Sequence, residues 1–298
     1  MNSRQQGVHA VIVSYRPEPA RFAELLRALA GQVDKIVVVD NAGGIDAPGC
    51  IVLAQRENVG VAAAQNAGIR AALEAGASYV LLMDHDSVPA PGMVAKLREA
   101  LDAELAHGAR AAAAGPVFVD ESAGTESRFV RFGRLGFRRE RCAGDAQRIE
   151  ADFLIASGTL IGAEAWRDVG PMDEALFIDH VDTDWCLRAR AKGWRLYGVC
   201  AARMSHRLGE RAVRVAGSLP YYVHGPLRQY YTFRNSALLY RRAYAPVRWI
   251  FGDALRLLKL LAACALFAPP RLASLGAALR GFADGWRGRA GRASDKGS

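Results

Sequence analysis

Residues 81–87 read LLMDHDS. An apolar run ends, with no spacer, in two aspartates separated by a histidine. A turn at His85 would aim the carboxylates of Asp84 and Asp86 at one point. Hard divalent cations such as Mg²⁺ take oxygen ligands, commonly one or two carboxylates together with substrate phosphates. The triplet thus suits a metal bridging to a diphosphate. It equally suits a loop whose solvated aspartates cap the next helix.

The surrounding pattern gives the triplet a frame. SYVLLMD (78–84) is preceded by three other strand-like runs, HAVIVSY (9–15), KIVVVDN (35–41) and CIVLAQ (50–55), each apolar and rich in β-branched residues. Helical spacing separates them in ARFAELLRALAG (20–31) and GVAAAQNAGIRAALEAG (60–76), and returns in PGMVAKLREALDAEL (91–105). The alternation predicts an α/β layer with a mostly parallel central sheet. Ligands of such sheets bind beyond the carboxyl ends of the strands. Those ends carry Ser14-Tyr15, Asp40-Asn41 and Asp84-His85-Asp86.

Past residue 110 the pattern loosens. The stretch 129–148 is basic and glycine-broken and reads as a mobile loop. DFLIASGTLIG (152–162) reads as a strand, DTDWCLRARAKGW (182–194) as a helix with acids first and bases last, and RLYGV (195–199) as a strand. Beyond Tyr221 the chain turns helical, with RQYYTFRNSALLYRRA (228–243) and two apolar helices, 255–267 and 272–282. Leu272, Leu275, Leu279 and Phe282 line one face of the last, with Trp249 and Trp286 as candidate interfacial anchors.

Composition narrows the classes. The chain has 298 residues, half of them apolar. The five cysteines include no CxxC pair, which predicts reduced thiols rather than a disulfide or a zinc site. No secretory signal and no 18-residue apolar run is visible. The formal net charge of +9 is concentrated at the end: from Arg241 onward there are nine Arg and two Lys against three Asp. No GxGxxG follows the first strand and no GK[ST] exists, against dinucleotide and P-loop folds. DHDSV resembles the nucleophile loop of haloacid-dehalogenase-like phosphohydrolases, with Asp84 as nucleophile. That loop belongs on the first strand of its domain, and here three strands come earlier.

A second acidic cluster, MDEALFIDHVDTDWCLRARAKGW (172–194), carries Asp173, Glu174, Asp179, Asp182 and Asp184 among Phe177, Ile178 and Trp185. Acids interleaved with large apolar residues suggest a partly buried carboxylate wall, and burial raises a carboxyl pKa toward that of a useful base.

In order, VIVSY, VVVDN, ENVGVAAAQNAGI, LLMDHDS, SGTLI and DHVDTDWCLRARAKGW resemble the family-2 glycosyltransferases of the GT-A fold, and most of all bacterial rhamnosyltransferases. RQYYTFRN (228–235) and GFADGWRGRAG (281–291) resemble that subgroup's C-terminal phrases, so the likeness covers nearly the whole chain. His85 stands where the subgroup usually has glutamine. The resemblance implies a GT-A-type catalytic domain over 1–220 and a basic amphipathic helical extension over 221–298. It implies inverting transfer of L-rhamnose from dTDP-rhamnose, with Mg²⁺ or Mn²⁺, to a lipid-linked saccharide acceptor in cell-surface polysaccharide (O-antigen) synthesis. Tyr15, Asp40, Asn66 and Asp84 are expected at the nucleotide. Asp84, Asp86 and His206 are expected at the metal, and Asp182 as base with Asp184 as its competitor. The basic tail adds the expectation of a cytoplasmic protein, peripheral on the anionic face of the inner membrane, with no nucleic-acid partner.

Overall fold

The computed structural model describes residues 7–120, 124–134, 136–206, 212–213, 221–222, 225–267 and 270–293. The chain begins β1 (Val8–Ser14), α1 (Pro19–Leu29), β2 (Lys35–Asp40), β3 (Ile51–Ala54), α2 (Val61–Glu74) and β4 (Tyr79–Asp84). It continues β5 (Ser87–Pro89), α3 (Met93–Ala106), β6 (Ala111–Asp120), β7 (Thr125–Glu126), β8 (Phe129–Gly133), β9 (Gly136–Glu140), β10 (Arg148–Ala151) and β11 (Leu160–Gly162). After α4 (Ala163–Val169), one 3₁₀ turn and α5 (Val181–Ala191) come β12 (Arg195–His206), β13 (Ala212–Val213) and β14 (Tyr221–Tyr222). Three helices close it: α6 (Pro226–Tyr240), α7 (Val247–Phe267) and α8 (Arg271–Trp286).

The main sheet runs β10-β12-β6-β11-β4-β1-β2-β3. β3, β2, β1 and β4 are mutually parallel, as are β6 and β12, while β11 is antiparallel to both of its neighbours. The chain moves outward in one direction through β2 and β3 and returns to the other side of β1 for β4. A crevice therefore opens beyond the ends of β1 and β4. Registers bring the polar ends together: Ser14 lies beside Asp40, and Val13 beside Asp84.

Alternation along β1 builds two cores. Val11 faces α2 and α5, packing with Ile69, Val80, Leu82 and Trp185. Ala10 and Ile12 face α1 and α3, packing with Leu25, Leu29, Met93 and Leu97. Leu238, Leu239, Ala245 and Trp249, all beyond residue 221, join the first core. A third cluster unites Phe233, Leu257, Leu260, Ala263, Cys264 and Ala278 of the last three helices. α8 meets α6 through small residues: a Cβ on Gly281 would lie 2.2 Å from the Tyr230 carbonyl oxygen, and one on Gly285 2.1 Å from that of Arg234.

Several expectations are corrected. β6 begins with four alanines, poor strand formers by propensity; they are fully buried between flanking strands and under packed helices, where small side chains fit. The basic stretch expected to be a mobile loop forms the β8–β9 hairpin, in register from Phe129↔Glu140 to Gly133↔Gly136. Only Leu160–Gly162 of the strand expected over 152–162 pairs in the sheet; the preceding residues turn away toward α5. Cys142 and Cys200 are joined by a disulfide, their Cα atoms 5.7 Å apart and 58 residues separated in sequence, against the expected reduced thiols. Spacing alone could not reveal a pair brought together by the end of the hairpin and the bulged middle of β12. Trp249 is buried against His180 and Tyr240 and cannot be an interfacial anchor. On α8, Leu275 and Phe282 pack inward, whereas Leu272 and Leu279 stand exposed.

Candidate functional site

The chain turns at His85 and Asp86 between β4 and β5. The turn is held from three directions. The Asp84 N–H donates to Ser157 Oγ at 3.1 Å, and Ser157 Oγ donates to Ser87 Oγ at 2.8 Å. From α1, the nearly buried Arg21 donates from Nε to the Asp86 carbonyl at 3.0 Å and from its terminal nitrogen to Ser205 Oγ at 3.0 Å. β5 then pairs with the end of β12, setting the His206 backbone opposite Ser87. The His206 side chain lies outside the described residues.

The other strand ends differ in what they offer. Tyr15 is 43% exposed, its ring free to stack on a planar group, with the Arg16 guanidinium 5.3 Å from the ring centre. Asp40 is buried, and its carboxylate accepts the N–H groups of Ala42, Gly43 and Ile45 at 3.1, 2.9 and 3.0 Å. Its oxygens hold the loop after β2, and a nucleoside reaching it would share them. Asn66 is fully buried: its amide donates to the Met172 carbonyl and Glu174 Oε1, and its oxygen accepts the Met172 N–H. It braces the second acidic segment from behind and does not line the crevice.

That segment has an unusual backbone. Phe177, Asp179 and His180 all have positive φ, at 62, 64 and 61°. For residues with a Cβ each such conformation costs on the order of 1 kcal/mol or more. The cost is met by buried donors on α6. The Asn235 amide reaches the carbonyls of Leu176, Ile178 and Asp179 at 2.9, 2.7 and 2.8 Å. Arg234 donates to the Ala175 and Leu176 carbonyls and to that of Gly291. From α2, the Val61 N–H donates to the Phe177 carbonyl at 2.7 Å. Gly60 leaves room there, since a Cβ would sit 2.7 Å from that same oxygen. Below, His180 Nε2 lies 2.9 Å from Ser236 Oγ and accepts from Arg256 at 3.1 Å. Burial lowers the His180 pKa and holds the ring neutral, as an acceptor of that bond must be.

The payload is Asp182, in the first turn of α5. It keeps a partly open surface, and its carboxylate accepts the Thr183 N–H at 2.7 Å and the Ala156 N–H at 3.3 Å. Burial pushes its carboxyl up to about 6, against the two backbone donors and with help from the charges of Asp179 and Asp84. The strand-end acid and the second cluster are tied through two consecutive residues: Ser157 holds the Asp84 N–H, and the Ala156 N–H holds Asp182. Asp184 has a different fate. It is fully buried, its Oδ2 paired with Arg188 Nε at 2.8 Å and its Oδ1 accepting from Tyr244. Asp173 pairs with Arg242, and Asp179 with Arg228 and Thr232.

Among the described residues, no three His, Cys, Asp or Glu side chains form a metal cage by themselves. The donor set at β4, two carboxylates on one turn, is the oxygen chemistry that holds Mg²⁺ or Mn²⁺ when substrate phosphates supply further ligands. The residues present fit such an ion.

The residues that shape the site without announcing themselves in sequence are Arg234, Asn235, Tyr244, Ser157 and Arg21. The available signal was RNS at 234–236, three polar residues that precede the apolar run ALL in the middle of a helix.

A family model described as Glycosyl transferase family 2 matches residues 10–144. Over 256 residues, 83% of this chain and 83% of the relative, the sequence is 34% identical to "dTDP-rhamnosyl transferase RfbF" of Shigella flexneri. Among solved structures, S. aureus TarS 1–349 superposes with a TM-score of 0.54 at 13% identity, covering 94% of this chain and 80% of that one. GalNAc-T7 with UDP, GalNAc and Mn²⁺ gives 0.55 at 13% identity over 85% of this chain, which spans 55% of that structure's length. At these identities the structural likeness is one of fold, and the fold is the GT-A type that the motifs imply.

The geometry separates two neighbouring acids. Asp184→Ala leaves Arg188 and Tyr244 without their buried partner and is expected to cost on the order of 3 kcal/mol of stability, read as a lowered thermal midpoint. Asp182→Asn, which removes no ion pair, should melt within a degree or two of the parent. Equal destabilisation by both would refute the division.

Proposed function

The chain belongs to glycosyl transferase family 2, and from that premise we propose that it transfers L-rhamnose from dTDP-rhamnose to a lipid-borne saccharide, inverting the anomeric carbon. The identity to a dTDP-rhamnosyl transferase over five-sixths of both chains supports the donor. The observation that carries the mechanism is Asp182: reachable, held by two backbone N–H groups and the hydroxyl of its neighbour Thr183 with no ion pair, and with a carboxyl raised to about 6. At neutral pH it is ionised, yet more basic than an ordinary aspartate.

The acceptor hydroxyl approaches the anomeric carbon from the face opposite the nucleotide. As the new C–O bond forms, its proton passes to the Asp182 carboxylate. The bond from the anomeric carbon to the diphosphate oxygen breaks, and the electron pair leaves with dTDP. Tyr15 offers its ring to the thymine. Asp84 and Asp86, with His206, would hold Mg²⁺ or Mn²⁺, which when bound neutralises charge on the departing diphosphate. Asp184 is the scaffold acid, spent on Arg188 and Tyr244. The phosphohydrolase alternative loses its footing, because Asp84 ends the fourth strand of a glycosyltransferase sheet.

Residues 221–298 form the extension in this reading, and they suit a membrane surface. α7 exposes Val247, Phe251, Leu255, Leu258 and Leu266 at helical spacing, and α8 exposes Leu272, Leu279 and Trp286. Arg248, Lys259, Arg271 and Arg280 stand exposed on the same two helices, and Arg287 just past the end of α8. No described helix is long and apolar enough to cross a membrane, so the reading is of a protein lying on an anionic leaflet.

Four outcomes are expected. Transfer by the parent should rise with pH through about 6 and then level, since the base works only when deprotonated. Asp182→Asn should lose roughly 100- to 10,000-fold in kcat with donor affinity unchanged, and the product should be the α-L-rhamnoside from a β-L donor by NMR coupling. A retained configuration, or a dead Asp184→Asn beside an active Asp182→Asn, overturns the assignment. Calorimetry on Asp86→Ala should show loss of the divalent-dependent part of dTDP-rhamnose affinity; undiminished metal dependence removes Asp86 as a ligand. Phe251→Glu with Leu258→Glu should release the protein from phosphatidylglycerol vesicles by roughly tenfold or more per side chain, and equal sedimentation with the parent refutes the membrane face.

A further inference from the structure

Beside the base lies a second hollow, a cavity of about 740 Å³ between the β8–β9 hairpin and the segment that leads into β11. Its wall includes Phe153, Leu154 and Ile155, and the next residue, Ala156, is the one whose N–H donates to Asp182. Hairpin and wall are knitted into one body. Val130 bridges to Phe153, the Asp152 N–H donates to the Val130 carbonyl at 2.8 Å, and Asp152 accepts the Phe132 N–H at 2.5 Å.

The hollow has a distinct chemical character. Arg128, Arg139 and Arg141 line it, and among the described residues none of the three side chains has a hydrogen-bond or ion-pair partner. Several arginines elsewhere, among them Arg21, Arg188, Arg190, Arg203, Arg228, Arg234 and Arg242, have acidic or carbonyl partners; what sets these three apart is that they gather around one hollow. The one acid on the rim, Glu126, is taken by Arg203. Three uncommitted guanidiniums over an aromatic wall present the bidentate donors that phosphate oxygens fit. The hairpin also leans on α7: a Cβ on Gly252 would lie 2.7 Å from the Phe137 ring. The arginine rim is thereby fixed to the helix that exposes Phe251 and Leu258.

We propose that this hollow is the acceptor subsite, and that Arg128, Arg139 and Arg141 recognise a phosphate or diphosphate group on the acceptor saccharide while its hydroxyl is presented to Asp182. The acceptor role rests on the glycosyl-transfer reading above; the anion site does not. The shared chemistry is a phosphate attached to a sugar, whose source is a lipid diphosphate or a soluble sugar phosphate. The connection of the hairpin to α7 favours the lipid.

The test uses the full chain in EDTA, so that binding at the Asp84–Asp86 turn is suppressed, with farnesyl diphosphate and inorganic pyrophosphate as probes in calorimetry. Farnesyl diphosphate should bind the parent, and an Arg139→Ala/Arg141→Ala variant should lose roughly tenfold or more. Both positions are exposed and uncommitted, so the thermal midpoint and dTDP-rhamnose affinity with Mg²⁺ should not change. Tighter binding of farnesyl diphosphate than of pyrophosphate assigns a lipid source, and equal binding a soluble one. Absence of binding to the parent, undiminished binding to the variant, or displacement of the probe by dTDP overturns the site. If the variant loses the probe but dTDP-rhamnose never binds the parent, the anion site stands and the transferase reading is what fails.

Discussion

One buried amide holds together the loop that carries Asp182. Asn235 reaches three backbone carbonyls, of Leu176, Ile178 and Asp179, in a stretch where three non-glycine residues adopt left-handed conformations. Such a stretch would relax if released, because each residue carries strain of about 1–3 kcal/mol. Arg234 holds the same loop from the next position. Hydrogen bonds from a charged donor contribute roughly 1.5–3 kcal/mol each, and more is lost when a buried carbonyl is left unmet. The clamp and the strain are of comparable size, so the loop has one stable path, and that path delivers Asp182 at the first turn of α5.

The same loop explains why two aspartates two residues apart behave so differently. On a helix, positions two apart point to different sides. Asp182 is half-buried and meets two backbone N–H groups and the Thr183 hydroxyl, with no charged partner. Asp184 faces inward and meets a guanidinium and a phenol. The phenol comes from Tyr244, in the turn after α6. A residue of the C-terminal extension thus completes the environment of Asp184, the buried neighbour of the proposed base, and His180 ties the loop to Arg256 on α7 in the same way.

Much of this was legible before any coordinates. Continuous apolar, β-branched runs ending in polar residues gave the four parallel strands and the crevice, because strands buried on both faces are apolar throughout and stop where the ligand begins. The turn at His85 was read from the acidic triplet, the partly buried second cluster from acids interleaved with large apolar residues, and Asp182 within it from the family resemblance. What stayed hidden was long-range. The β6 strand is hidden by its alanines, whose reason for being there is the packing of its neighbours. The hairpin over 129–140 looks like a loop because its charges face outward. The Cys142–Cys200 pairing and the bracing role of Asn66 depend on contacts 58 and 106 residues apart. Trp249 shows the limit of composition: an aromatic in a basic tail suits an interface, yet its neighbours on α6 and the loop at His180 bury it.

The extension is therefore part of the catalytic body as much as an appendage to it. α8 lies against α6 so closely that Gly281 and Gly285 admit no side chain, which keeps α6 and its clamp residues in place. α7 contributes Arg256 and Asp253 beneath His180, and its outer face is apolar. It also supports the hairpin through Gly252 and Phe137. A surface engaged by the outer face of α7 is thus linked by packed side chains to the base loop on one side and to the arginine-lined hollow on the other. Both links are short and partly buried, so a displacement of α7 is passed on to one or the other of them.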